Sequence, residues 1–159
     1  MLFRSIAFSL LLPLLAACGG DEDAMPGARH QIHGTYTVGE STHHFVATFQ
    51  DSVLIAVEEE QQYGDLGRGR TRYEVVQGRL VAVRTEEQRR PAGPDSGGAF
   101  ETVILELEFD PAGGLVRQSK RIDGEPAELL GYEAPGARRH FQQLRQRVDA
   151  ARRTAAAGM

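Results

Sequence analysis

The chain has 159 residues, 41% hydrophobic and 25% charged, which is enough for one compact domain, leaves little for a second, and excludes a wholly disordered polymer. Its formal charge of −4 is unevenly spread: from Cys18 to Ala134 there are 21 acids against 11 bases, whereas from Pro135 onward six arginines face one aspartate. An acidic body argues against nucleic acid as a partner, because that would demand positive charge over a face.

Arg4 opens a segment that turns apolar, "IAFSLLLPLLAA", and ends on small residues. That order is the charged region, apolar region and small-residue boundary of a secretory signal, here residues 1–17. A spanning helix needs about 20 apolar residues, and Pro13 weakens this run further. Leu15, Ala16, Ala17 and Cys18 resemble the lipobox of bacterial lipoproteins. The resemblance implies that Cys18, the only cysteine, receives a diacylglyceryl group and becomes the acylated N-terminus after cleavage. An aspartate directly after the cysteine marks inner-membrane retention in such proteins. Gly19 and Gly20 stand there instead, which implies the outer membrane, facing the periplasm. One acyl chain holds only marginally, and two or three hold durably. Residues 18–31, with three glycines, a proline and several charges, read as a flexible tether of about 20 Å.

Residues 32–133 read as an antiparallel β domain. "HGTYTV", "HHFVATFQ" and "SVLIAVEEE" are short runs rich in β-branched and aromatic residues. Phe45, Ala47 and Phe49 share one face of their strand, and Val53, Ile55 and Val57 one face of the next, with "QDS" as the hairpin break. "GDLGRGR" reads as a loop. "TRYEVVQGRLVAVRTEE" is a hairpin around Gln77-Gly78. A three-residue loop with Gly78 in the left-handed position places Tyr73, Val75, Val81 and Val83 on one face, whereas a two-residue loop separates the valine sets. After the break "RRPAGPDSGG", the run "AFETVILELEF" alternates most clearly. Val103, Leu105, Leu107 and Phe109 point one way and Glu106 and Glu108 the other, while Glu101 breaks the series and is expected ahead of the sheet edge. "DPAGG" and Asp123-Gly124 supply two further turns around "LVRQSKRI". The fold expected is mainly β, a meander of seven or eight antiparallel strands forming a curled sheet or small barrel, with one C-terminal α-helix.

That helix, residues 134–157, lacks internal breakers and is rich in helix formers. Phe141, Leu144, Val148 and Ala151 make a narrow apolar stripe suited to packing on the sheet. Arg138, Arg139, Arg145, Arg147, Arg152 and Arg153 occupy the remainder. They balance the acidic sheet as a solvated face, or contact an anionic surface or partner.

The C-terminal third, "FDPAGGLVRQSKRIDGEPAEL" followed by an Arg- and Gln-rich helix, resembles a family of uncharacterised enterobacterial lipoproteins. Phe109, Asp110, Gly114, Leu115, Ile122, Asp123 and Gly124 carry the likeness. It implies a lipoprotein with a β-meander and a terminal helix, and brings no activity with it.

No catalytic constellation emerges from the spacing. His30, His33, His43 and His44 offer no closed ligand set, because His30 falls in the tether and His43 and His44 point to opposite faces of a strand. No metal and no cofactor are therefore expected. Glu58, Glu59 and Glu60 read as a solvated run, and no nucleophile elbow, metalloprotease helix or phosphate-binding loop occurs. The expectation is a non-enzymatic lipid-anchored envelope protein, an accessory or interaction module with an envelope protein as partner. The alternative is a small-ligand-binding β-barrel lipoprotein.

Overall fold

A computed structural model describes residues 27–91 and 98–157. The segment read as a signal, the lipobox-like Leu15–Cys18 and most of the segment read as a tether lie outside the described residues, as does part of "RRPAGPDSGG". Eight strands follow in chain order: β1 (Arg29–Val38), β2 (Ser41–Gln50), β3 (Val53–Gln62), β4 (Gly67–Val76), β5 (Arg79–Arg89), β6 (Glu101–Phe109), β7 (Leu115–Ile122) and β8 (Glu125–Pro126). The helix α1 (Glu133–Ala157) closes the chain. Each strand pairs antiparallel with its sequence neighbour, giving one sheet ordered β1 to β8. The sheet stays open, so the meander is a curled sheet rather than a barrel.

Several boundaries differ from expectation. β1 begins at Arg29, inside the segment read as tether, and His30 stacks on the Phe49 ring with centroids 5.0 Å apart. β4 takes in Gly67–Arg70, so only Gly64–Leu66 of "GDLGRGR" forms a short 3-10 turn. Glu101 lies within β6, opposite Arg89, whose Nε donates to its carboxylate at 2.9 Å. That pairing makes it part of the sheet and not a flank.

The hairpin ends carry a repeated device. Asp51-Ser52 and Gln77-Gly78 are two-residue turns with positive φ at both positions, the backbone that matches strand twist. Gln77-Gly78 is therefore not a three-residue loop. The extra residue stands in β5 as a bulge at Val81, where pairing shifts from Val75↔Leu80 to Glu74↔Ala82. Leu80, not Val81, joins Tyr73, Val75 and Val83 against the core. β3 does the same at Ile55, as pairing shifts from Phe49↔Leu54 to Thr48↔Ala56. Leu54 and Val57 consequently meet the core while Val53 is exposed, correcting the face assigned to Val53 and Ile55. A third bulge falls at Val116, between Phe109↔Leu115 and Glu108↔Arg117. Each bulge bends its strand and raises the local twist, so three at one end curl the sheet there.

The concave face is apolar and the convex face is ionic. Phe45, Ala47, Phe49, Val57, Tyr73, Val75, Val83, Leu107 and Phe109 form the inner layer. The Phe45 ring lies over Gly34 on the neighbouring strand, where an added Cβ would stand 2.3 Å from a ring carbon. On the outer face Glu58 takes Arg70 and Arg72 at 2.5 and 2.7 Å, Glu106 takes Arg84, and Glu108 takes Arg117. Such exposed pairs each contribute about 0–1 kcal/mol, and their main effect is to keep this face wet.

Helix α1 crosses the concave face with a heptad logic. Seven helical residues advance about 10.5 Å, and two strands span about 9.6 Å, so residues seven apart meet successive hairpins. Ala134, Phe141 and Val148 are buried, as is Leu144, with Ala137 and Ala151 packed beside them. Burying a side chain such as Phe141 stabilises by about 1.5–3 kcal/mol. Along one edge, Arg138, Arg145 and Arg152 donate to the carbonyls of Gly113, Gly78 and Ser52 at 2.8, 2.7 and 3.2 Å. One arginine latches each turn. Along the other edge stand Glu133, His140 and Arg147.

Candidate functional site

Glu59 anchors the site. Its neighbours in the glutamate run behave as expected of a strand end, since Glu60 is exposed and Glu58 meets arginines on the convex face. Glu59, one residue from each, points inward with 0% exposure, which corrects the reading of the run as solvated. Strand alternation is the cause: Val57 faces the core, and two residues on the next inward position is Glu59.

A buried carboxylate needs partners, and this one has four. Tyr36 on β1 donates its hydroxyl to Oε1, and His43 on β2 places Nδ1 3.0 Å from the same oxygen. Gln61 donates from Nε2 to Oε2 at 2.9 Å, and His140 on α1 brings Nε2 within 2.7 Å of that oxygen. Tyr63 in turn donates to the Gln61 carbonyl. Strands β1, β2 and β3 and the helix thus converge on one side chain.

The aromatic rings form a second layer. Tyr36 and His43 stack at 4.6 Å, Tyr73 and His140 at 6.2 Å, and the His43 and His140 centroids stand 6.3 Å apart. The Arg147 guanidinium lies 3.9 Å over the Tyr36 ring, a cation–π contact. Burial alone pushes the Glu59 carboxyl pKa up. The bonds from His140 and Tyr36, the His140 charge and the Gln61 amide outweigh it and hold the pKa at about 2. Burial, then the bond to Glu59, drives the Tyr36 phenol well above its usual range. Burial and the Glu59 charge do the same to Tyr73.

Tyr36, His43, Gln61, Tyr73, His140 and Arg147 line a cleft of about 480 Å³ between sheet and helix, above the buried Glu59, with Tyr63, Leu105, Tyr132 and Gln143 at its walls. Glu59 occupies one nitrogen of each imidazole. Among the described residues no buried side-chain nitrogen or oxygen lacks a partner, and neither His43 Nε2 nor His140 Nδ1 takes a protein hydrogen bond. Those two nitrogens therefore face accessible space. A carboxylate holding an imidazole by one nitrogen fixes its orientation and leaves the other to donate or accept. Chemically the cleft offers aromatic faces, two oriented imidazoles and one guanidinium. Among the described residues, no group of three His, Cys, Asp or Glu is arranged to hold a metal ion.

The sequence-expected residues are distributed as follows. Cys18 lies outside the described residues. Of the six arginines, Arg138, Arg145 and Arg152 bind hairpin turns, Arg147 covers Tyr36, and Arg139 and Arg153 are exposed. His33 is exposed, and His44 faces outward with Nδ1 3.0 Å from the Thr35 hydroxyl, so neither joins His43. Tyr36, Glu59, Gln61 and His140 were missed as a group. Two signals point to them: inward strand parity at Tyr36, His43, Glu59 and Gln61, and the sevenfold spacing of Glu133, His140 and Arg147. Comparison with known protein families, with curated proteins and with solved structures finds no match for this chain.

Proposed function

We propose that the chain is a lipid-anchored envelope protein, held at the outer membrane facing the periplasm, and that its body is a non-catalytic accessory module recognising a partner through the cleft over Glu59. The cleft carries this reading. It couples a rigid, fully bonded floor to open aromatic and imidazole surface, the mixture of apolar area and few oriented polar groups that recognition uses. The lipobox at Leu15–Cys18, with Gly19 and Gly20 behind it, supports the address.

Two measurements test it. A photo-crosslinking residue at Gln143, at the cleft wall, should capture a discrete envelope component. The same residue at Glu74, on the convex face, should not. Equal capture from both positions overturns the cleft as the recognition surface. Globomycin should block processing of the parent, and Cys18→Ala should lose outer-membrane sedimentation; an unchanged pattern overturns the anchor.

One observation favours a second reading, a small-ligand binder. The volume of about 480 Å³ lies within the range of small-molecule sites, about 300–1,000 Å³, although an open sheet and not a barrel lumen encloses it. Native mass spectrometry of protein purified from envelopes separates the two readings, since only a retained small molecule adds a fixed mass.

A further inference from the structure

We infer that the end of the sheet carrying the three bulged hairpins docks on an anionic phospholipid surface and turns the cleft away from it. The inference rests on the anchoring reading and deepens it.

Each hairpin at this end presents exposed aliphatic surface next to a latched arginine. Val53 is 50% exposed beside the turn held by Arg152, Val76 is 56% beside that of Arg145, and Val116 is 63% beside that of Arg138. A guanidinium has five N–H donors, so one bond to a turn carbonyl leaves donors for phosphate. The period of the helix repeats this pairing at about 10 Å. The result is a sheet end whose turns carry aliphatic side chains and, from the helix on the inner face, cationic ones, the composition that interfacial binding requires.

The chain also enters here. Ala28 accepts from the Asp51 amide at 3.3 Å, which places the start of the fold at the first hairpin turn. Ten residue steps separate Ala28 from Cys18, a reach of at most about 35 Å. A lipid on Cys18 therefore keeps this end within about 35 Å of the bilayer. The opposite end also exposes apolar groups, Val38, Leu66 and Phe100. Its turns, however, carry four exposed acids, Glu40, Asp65, Asp123 and Glu125, whereas the turns of the docking end carry one, Asp51, beside the half-buried Asp110. The helix edge at the docking end sets Asp149 against Arg138, Arg145 and Arg152. An anionic surface is therefore repelled more strongly by the opposite end. The cleft opens toward that opposite end, since Val38, His43, Gln61 and Thr71 line it.

The test uses the chain from Cys18 onward, because the described sheet and helix begin only at Arg29. Its thiol is coupled to a maleimide lipid in phosphatidylglycerol vesicles or, separately, in phosphatidylcholine vesicles. Amide exchange should slow severalfold at Ser52, Gly78 and Ala112 on phosphatidylglycerol, and stay unchanged at Gly39 and Gly124. Val53→Glu with Val76→Glu, both at exposed positions, should abolish the slowing while the melting curve is retained. In a second arm the untethered chain, with Cys18→Ser, should bind phosphatidylglycerol vesicles in a salt-sensitive way, and Arg145→Gln should weaken that binding about fivefold. Exchange at the three turns equal to that of the free chain, or slowing at the opposite end, overturns the inference. If Cys18 proves unacylated in cells while the turns are protected on vesicles, the anchoring reading fails and the docking edge stands.

Discussion

His140 Nε2 and Glu59 Oε2 stand 2.7 Å apart across 81 residues of sequence. The bond joins the helix to strand β3 through a fully buried carboxylate. Replacing Glu59 with Leu would leave Tyr36, His43, Gln61 and His140 without their common acceptor. Removing one member of a buried, hydrogen-bonded charge cluster costs about 3–5 kcal/mol. Glu59→Gln keeps the shape but loses the charge and puts an amide donor among donors, so a loss of about 2–3 kcal/mol is expected. Urea unfolding of both variants checks the order: Leu worse than Gln, both well below the parent. A midpoint unchanged in Glu59→Leu would contradict the role assigned to this carboxylate.

The same cluster sets an acid limit on stability. The Glu59 carboxyl falls from an ordinary 4.5 to about 2 in the fold. A depressed folded-state value means that the unfolded chain takes up the proton first. The stabilisation is complete above pH 4.5 and is lost as pH falls toward 2. A shift of this size corresponds to about 3 kcal/mol. The stability difference between parent and Glu59→Gln, followed by denaturant midpoints from pH 6 to pH 2, should therefore shrink over that interval. A difference constant across it would place the effect elsewhere.

Why the fold was largely legible and the site was not follows from the kind of signal each leaves. Val103 to Phe109 alternate on one face with glutamates opposite, and Asp123-Gly124 demands a tight turn, so strand and turn are written locally. Bulges are not. At Gln77-Gly78 the valine pattern demanded one residue too many, and sequence alone does not say whether the surplus sits in the loop or the strand. The structure puts it at Val81, as it does at Ile55 and Val116. Glu59 was hidden differently: flanked by Glu58 and Glu60, it looks like part of a solvated run. Its burial is decided by Tyr36, His43 and His140, which reach it only once sheet and helix have docked.

Gly34 is required by a contact and not by its backbone. A Cβ there would stand 2.3 Å from one Phe45 ring carbon and 2.4 Å from another, so the ring must move out of the core layer to admit even a methyl group. Overpacking of this kind costs about 1–3 kcal/mol. Gly34→Ala should lower the melting temperature, and Phe45→Leu in the same chain should recover part of the loss by vacating the ring's position. If Gly34→Ala matched the parent, the Phe45 ring would not be seated on this glycine.

The helix tests how two kinds of contact share its docking. Phe141 and Leu144 are buried, whereas Arg138 and Arg145 reach turn carbonyls from exposed positions. Truncating a buried phenylalanine or leucine costs about 2–5 kcal/mol. A hydrogen bond of ordinary worth contributes about 0.5–1.5 kcal/mol, and exposed arginines belong at the low end because water replaces what they lose. Phe141→Ala should therefore destabilise several times more than Arg145→Ala by denaturant midpoint. Proteolysis should discriminate further: Phe141→Ala should free the helix for cleavage among Arg145, Arg147 and Arg152 by trypsin, and Arg145→Ala should leave those bonds protected. The reverse order would mean that the arginine row, and not the apolar stripe, holds the helix to the sheet.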